Sequence, residues 1–179
     1  MRVHIRPVQR ADAEALAAIY NPEVIETTVT FDLVPRTLEE QQVWIEEHLG
    51  THPCIVAVND EDQVGETGAQ GDKILGFAVV TPFRARPAYA TTVESSVYTH
   101  REARGRGVGE LLLREILAMA SDLGFHSIIA RIVGANESSI KLHEKVGFSL
   151  VGREIEVGRK HGKWLDVVEF QYVIPDTSR

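Results

Sequence analysis

"REARGRGVGE", residues 101–110, decides how this chain reads. Three arginines and three glycines fall within ten positions, between "TTVESSVYT" (91–99), rich in β-branched residues, and an apolar helical pattern carried by Val108, Leu112, Ile116 and Leu123. The pattern predicts a strand, a glycine-rich turn and a helix closed by Gly124. A helix N-terminus built this way presents N–H groups that have no intrahelical partner, and the helix dipole adds partial positive charge. Such a turn suits a phosphate. Glycines at 105, 107 and 109 let the backbone approach a ligand and take positive φ, while Arg104 and Arg106 offer charge-assisted hydrogen bonds. A Walker A loop needs Lys and then Ser or Thr after its last glycine, and a dinucleotide fingerprint needs a third glycine where Glu110 stands, so neither fits. R-x-x-G-x-G remains, at Arg104, Gly107 and Gly109, a pattern that an arginine-flanked loop capping a surface helix would also show.

Working outward, "VHIRPV" (3–8) alternates as a strand, and "ADAEALAAIYNPEV" (11–24) carries helical spacing up to Pro22. "TLEEQQVWIEEHLG" (37–50) predicts a second helix, with Thr37 and Glu40 in capping-box spacing and Gly50 as its stop. "CIVAV" (54–58) and "ILGFAVV" (74–80) are strand-length apolar runs flanking an acidic 59–73 loop, read as an exposed insertion of no assigned role. After the glycine turn come a strand "SIIARIV" (127–133), a short helix "SSIKLHEKV" (138–146) closed by Gly147, and a hairpin of "FSLVGREIEV" (148–157) and "WLDVVEFQYVI" (164–174) across "GRKHGK". The expected class is mixed α/β: a twisted, largely antiparallel sheet flanked by helices.

Bulk properties narrow the function. With 179 residues, 44% hydrophobic and 25% charged, the whole chain (1–179) is expected to be one domain. A net charge of -7 argues against a nucleic-acid partner, whose backbone demands a broad basic face. No stretch is long and apolar enough for a membrane span, and "MRVHIRPVQR" (1–10) lacks the apolar core of a signal peptide, so a cytoplasmic protein is expected. Cys54 alone allows no internal disulfide or cysteine cluster, and the histidines lack ligand spacing, so no metal is expected.

Four motifs then carry a resemblance. "SVYTHREARGRGVGELLL" resembles the acetyl-CoA pyrophosphate loop of the GNAT superfamily of N-acetyltransferases. "TPFRARPAYATTVESSVY", "GANESSIKLHEKVGF" and "GRKHGKWLD" resemble its phosphinothricin and methionine sulfoximine acetyltransferase branch, over nearly the whole chain. The resemblance implies a GNAT fold, acetyl-CoA as cosubstrate, a small amino acid or analogue as acceptor amine, and a homodimer. It implies that Val97, Tyr98 and Thr99 pair their backbone with the pantetheine arm, that residues 105–110 (Gly105, Arg106, Gly107, Val108, Gly109, Glu110) hold the pyrophosphate, and that Asn136 contacts the cofactor. It puts substrate segments at Arg84, Ala85 and Arg86 and at Glu94, Ser95 and Ser96.

The residues suit that chemistry. A protonated amine must lose a proton before it attacks a thioester, and Glu94, on the strand just before the cofactor-binding backbone, is the candidate base. The departing thiolate needs a proton or a hydrogen bond, for which His143 and Tyr98 are alternatives; the wider superfamily usually has Tyr at position 143. Arg84 and Arg86 suit an α-carboxylate. Acetylation of a peptide or protein N-terminus, and CoA binding without turnover, are the competing functions.

Overall fold

The structure is a computed structural model describing residues 2–59 and 73–175. One seven-stranded sheet, in the order β1-β2-β3-β4-β5-β7-β6, organises these residues. Its strands are β1 (Val3–Pro7), β2 (Cys54–Asn59), β3 (Lys73–Pro82), β4 (Thr92–Thr99), β5 (Ser127–Val133), β6 (Ser149–Lys160) and β7 (Lys163–Val173). All neighbours pair antiparallel except β4 and β5. Four helices flank it: α1 (Ala13–Glu26), α2 (Leu38–Glu47), α3 (Val108–Asp122) and α4 (Glu137–Val146).

Strand alternation sends successive side chains to opposite faces, which makes two cores. On one face, α3 buries Leu112, Leu113, Ile116 and Ala120 completely against Ile55, Ala57, Val80, Val93 and Ile128. On the other, α1 and α2 bury Leu16, Val24 and Ile45 against Val56, Val58, Phe77 and Val79. Each large aliphatic side chain withdrawn from water in this way contributes about 1.5–3 kcal/mol.

The elements follow the sequence pattern, with three differences. First, α1 runs through Pro22 to Glu26. Proline removes one helical N–H, but the turn beyond it is anchored by burial of Glu23 (3% exposed) and Val24 (1%), so tertiary contacts outweigh the lost hydrogen bond. Second, α2 starts on its Thr37/Glu40 capping box and stops at His48, before Gly50. There the His48 ring is held by the Trp44 carbonyl (Nδ1 to O, 2.6 Å) and stacks on the Trp44 ring. Third, the last hairpin closes in two residues, His161 (φ 51°) and Gly162 (φ 75°), so both strands extend into "GRKHGK". Of the acidic 59–73 loop, residues 60–72 lie outside the described residues.

Candidate functional site

The site begins where the sheet divides. β4 and β5 pair over only three positions, Thr92 to Glu94 against Ser127 to Ile129. Beyond them β4 stays with β3 as far as Thr99, and β5 stays with β7 as far as Val133. The two strands therefore separate, leaving a cavity of about 570 Å³ lined by Ser95–Thr99 on one side and Ala130, Arg131 and Ile132 on the other. One edge of β4 keeps its N–H and C=O groups available to an extended ligand.

The glycine turn closes the outer end of this cleft. Gly105 (φ 73°) and Gly107 (φ 83°) take the left-handed conformation that favours glycine, and Gly107 caps α3 without a side chain. Hydrogen bonding within α3 resumes at Leu111 N–H to Gly107 O, so the first-turn N–H groups point out of the helix end. A Cβ on Gly109 would lie 3.3 Å from Leu142 Cδ2 and 3.4 Å from Thr99 Oγ1, so this turn also packs tightly on α4 and β4.

Arg104, in the cleft wall, donates to Glu23 Oε1 (2.8 Å), and Arg101 reaches the same oxygen (3.1 Å) and Glu26 (2.7 Å). Arg106 is exposed. On the α4 side, Glu110 bridges Lys145 (2.6 Å) and Arg114 (3.0 Å), which holds its carboxyl below the usual range. Asn136 lines the cleft, and its Oδ1 caps α4 by accepting from Ser139 N–H (3.3 Å) and Ser138 Oγ (2.9 Å).

Two buried polar atoms in the cleft have no hydrogen-bond partner, Ser95 Oγ and His143 Nε2. His143 Nδ1 lies 2.8 Å from the Ser139 carbonyl, an acceptor, so Nδ1 carries the proton and neutral His143 presents a lone pair at Nε2. Burial lowers the His143 pKa, partly offset by that carbonyl contact, which keeps the ring in this form.

A family described as "Acetyltransferase (GNAT) domain" matches residues 5–168. The chain belongs to the GNAT acetyltransferase family. It is 39% identical over 169 residues to phosphinothricin N-acetyltransferase of Streptomyces coelicolor, covering 94% of this chain and 95% of that protein. It is 34% identical over 178 residues to L-methionine sulfoximine/L-methionine sulfone acetyltransferase of Pseudomonas aeruginosa, covering 99% and 98%. The crystal structure of a GNAT superfamily phosphinothricin acetyltransferase from Sinorhizobium meliloti, in complex with acetyl-CoA, superposes with a TM-score of 0.87 at 34% identity, covering 97% of this chain and 89% of that one.

In this GNAT domain, most of the residues expected from sequence at the cofactor site meet in one place: Val97, Tyr98, Thr99, Gly105, Gly107, Val108, Gly109, Glu110 and Asn136 all line the cleft, as does Arg104. Ser95, Ser96 and His143 join them. Glu94 sits at the last β4–β5 pairing, its pKa raised by burial, with Arg131 opposing the shift and Glu169 adding to it. Arg84, Ala85 and Arg86 stand apart on an exposed loop before β4, where the Arg84 guanidinium stacks on Phe83 and Tyr89. Tyr98 contributes backbone to the cleft, but its ring lies in the α1-side core, edge-on to Tyr20 (4.9 Å) and against Phe77.

Three features escape a reading of the sequence. Glu23 is the buried anchor of the glycine turn, and nothing in "YNPEV" marks it. Arg131 stands in a run that reads as plain buried strand, yet it lines the cleft, opposes Glu169 across β5–β7 and pairs with Glu154. Lys160 is 3% exposed and donates to the Thr30 carbonyl (2.8 Å), fastening the α1–α2 connection beside Tyr20, which donates to Asp32 (2.6 Å). Among the described residues no group of three or more His, Cys, Asp or Glu is placed to hold a metal, and no helix is long and apolar enough to cross a membrane.

Proposed function

We propose that this GNAT domain transfers acetyl from acetyl-CoA to the α-amine of a small amino acid or analogue of the phosphinothricin and methionine sulfoximine type, directly and without a covalent enzyme intermediate. The observation that carries the reading is the divided sheet. It offers a free strand edge, an uncapped helix N-terminus at one end and two unpartnered buried polar atoms in the same cavity. Those features fit acetyl-CoA: β4 backbone at Val97–Thr99 for the pantetheine amides, and Gly105–Glu110 for the diphosphate. Acetyl-CoA supplies an activated acetyl group, its carbon–sulfur bond breaking as the acceptor's carbon–nitrogen bond forms.

The chain's own groups do the rest. Glu94 takes the ammonium proton, directly or through one water, and its raised pKa keeps it basic enough for that work. Its neighbour Glu169 gives the acceptor side a negative bias that welcomes an ammonium, with Arg131, itself paired with Glu154, as the balancing cation. Ser96 shares the Glu94 face by strand alternation and borders the acceptor. Arg84, Ala85 and Arg86, exposed on the loop that leads into β4 and apart from the cleft lining, are the groups assigned to the acceptor's carboxylate.

The chain works as one domain and as a homodimer. The dimer is supported by Leu150, Val151, Ile155 and Val157, exposed apolar residues on the edge strand β6, and is tested by light scattering. The function is tested by release of CoA thiol from acetyl-CoA with methionine sulfoximine, phosphinothricin, ordinary amino acids and short peptides. Selective release with the two analogues is expected. Release with peptides alone would transfer the assignment to N-terminal acetylation, and CoA binding with no release from any amine would leave a binding module.

A further inference from the structure

Ser95 is 5% exposed, its hydroxyl has no hydrogen-bond partner, and it lines the cleft. The β3–β4 register is unbroken from Pro82↔Val93 to Gly76↔Thr99, so alternation along β4 holds throughout. Val93 and Val97 belong to the α3-side core and Tyr98 to the α1-side core. Ser95 therefore faces the α3 and α4 side, where His143 lies, whereas Glu94 and Ser96 face the other. The segment that reads from sequence as one acceptor-binding unit is split by the sheet.

Ser95 is also the first β4 residue past the last β4–β5 pairing, which puts it at the inner end of the cleft. Thr99, beside the glycine turn, stands at the outer end. The four steps between them span about 13 Å, a distance that an extended pantetheine arm covers. A CoA held at its diphosphate by the glycine turn thus brings its sulfur to Ser95. Neither other candidate offers a hydrogen there. The one proton of neutral His143 is given to the Ser139 carbonyl, and the Tyr98 side chain lies on the far face, its hydroxyl bonded with Thr30 and Tyr20.

We propose that the Ser95 hydroxyl is the hydrogen-bond donor that receives the CoA sulfur as a thiolate. The proposal rests on the cleft being the acetyl-CoA site. Ser95 keeps its proton, and no bond to it forms or breaks. The acceptor's proton leaves through Glu94, and the electron pair of the broken carbon–sulfur bond stays on sulfur, where the hydroxyl stabilises it.

The test titrates the thiol of CoA bound to wild type, Ser95→Ala and Ser95→Thr, reading the thiolate by its ultraviolet absorbance, with acetyl-CoA and desulfo-CoA affinities measured alongside. In Ser95→Ala the thiolate fraction of bound CoA falls about tenfold at a given pH, one unit in the thiol's titration. Acetyl-CoA affinity holds within about twofold, since the hydroxyl gains its acceptor only when the sulfur is charged. Ser95→Thr, which keeps a hydroxyl, retains the wild-type thiolate fraction. An unchanged thiolate fraction in Ser95→Ala overturns the proposal while leaving the cofactor assignment intact. Failure of wild type to bind CoA at all removes the assignment on which it stands.

Discussion

Arg104 and Arg101 converge on a single oxygen, Glu23 Oε1, at 2.8 and 3.1 Å, so a buried carboxylate in α1 anchors the turn that opens α3. Two exposed cations share one buried anion, and each substitutes for the other. Arg104→Ala or Arg101→Ala alone should leave the urea-unfolding midpoint nearly unchanged, as for exposed ion pairs. The double variant strands Glu23 without a partner and should cost about 3 kcal/mol. Strictly additive losses would show that the shared oxygen carries no coupling.

Glu94→Gln should lower turnover by about 10²- to 10⁴-fold with acetyl-CoA affinity retained. A base at Glu94 must be ionised to accept a proton, and burial raises the Glu94 pKa, so the acid limb of kcat/KM should lie above the ordinary carboxylate range. Charge neighbours give the sign of each shift. Arg131→Met removes the opposing cation and moves the limb to higher pH, whereas Glu169→Gln moves it lower. A limb that stays put in both variants would assign the titration to another group.

Burial lowers the His143 pKa, and the direction dictates how stability responds to acid. Below the unfolded value near 6.5, the unfolded chain binds a proton that the folded one resists, so this residue's contribution is complete above that pH and lost as pH falls beneath it. His143→Asn should flatten that part of the stability profile in denaturant titrations between pH 7 and 5. Nitrogen-15 shifts should find the proton on Nδ1.

A Cβ at Gly158 would clash with the Phe31 ring at Cε2. Phe31 is 41% exposed, so its ring can swing outward, and Gly158→Ala should displace the α1–α2 connection with little global destabilisation. That connection brings Val29 to the cleft wall, so the acceptor KM should rise while the acetyl-CoA KM stays the same. An equal rise in both would place the damage in the sheet itself.

How much of this was legible before the structure depends on range. The capping box at Thr37, the stops at Gly124 and Gly147, and the alternation through Val168 and Phe170 are local signals, and each element formed where its signal lay. The glycine turn could be placed at a strand-to-helix junction because the backbone requirement is written in the residues that permit it. The partners of that turn are another matter. Glu23 lies 78 residues from Arg101, and only tertiary packing brings the two together. Pro22 misled for the same reason, since the burial that holds the last turn of α1 is invisible from its neighbours. Arg131 was hidden by apolar company, and the division between Ser95 and its neighbours became visible only once strand parity was tied to two separate cores.

The short β4–β5 ladder has a consequence for how the protein survives in a crowded solution. A strand with unmated backbone normally sits at the rim of a sheet, where any stray chain can add to it. Here the unmated length lies in the middle of the fold, walled by α3 and α4, so only something as slender as a single extended arm can dock. The vulnerability is internalised: the protein carries a ready place for one more strand and screens applicants by width. Occupancy should then act as the absent strand does in any sheet, raising the unfolding temperature as CoA is added, by about 2.7 kcal/mol of stability at a hundredfold excess over Kd.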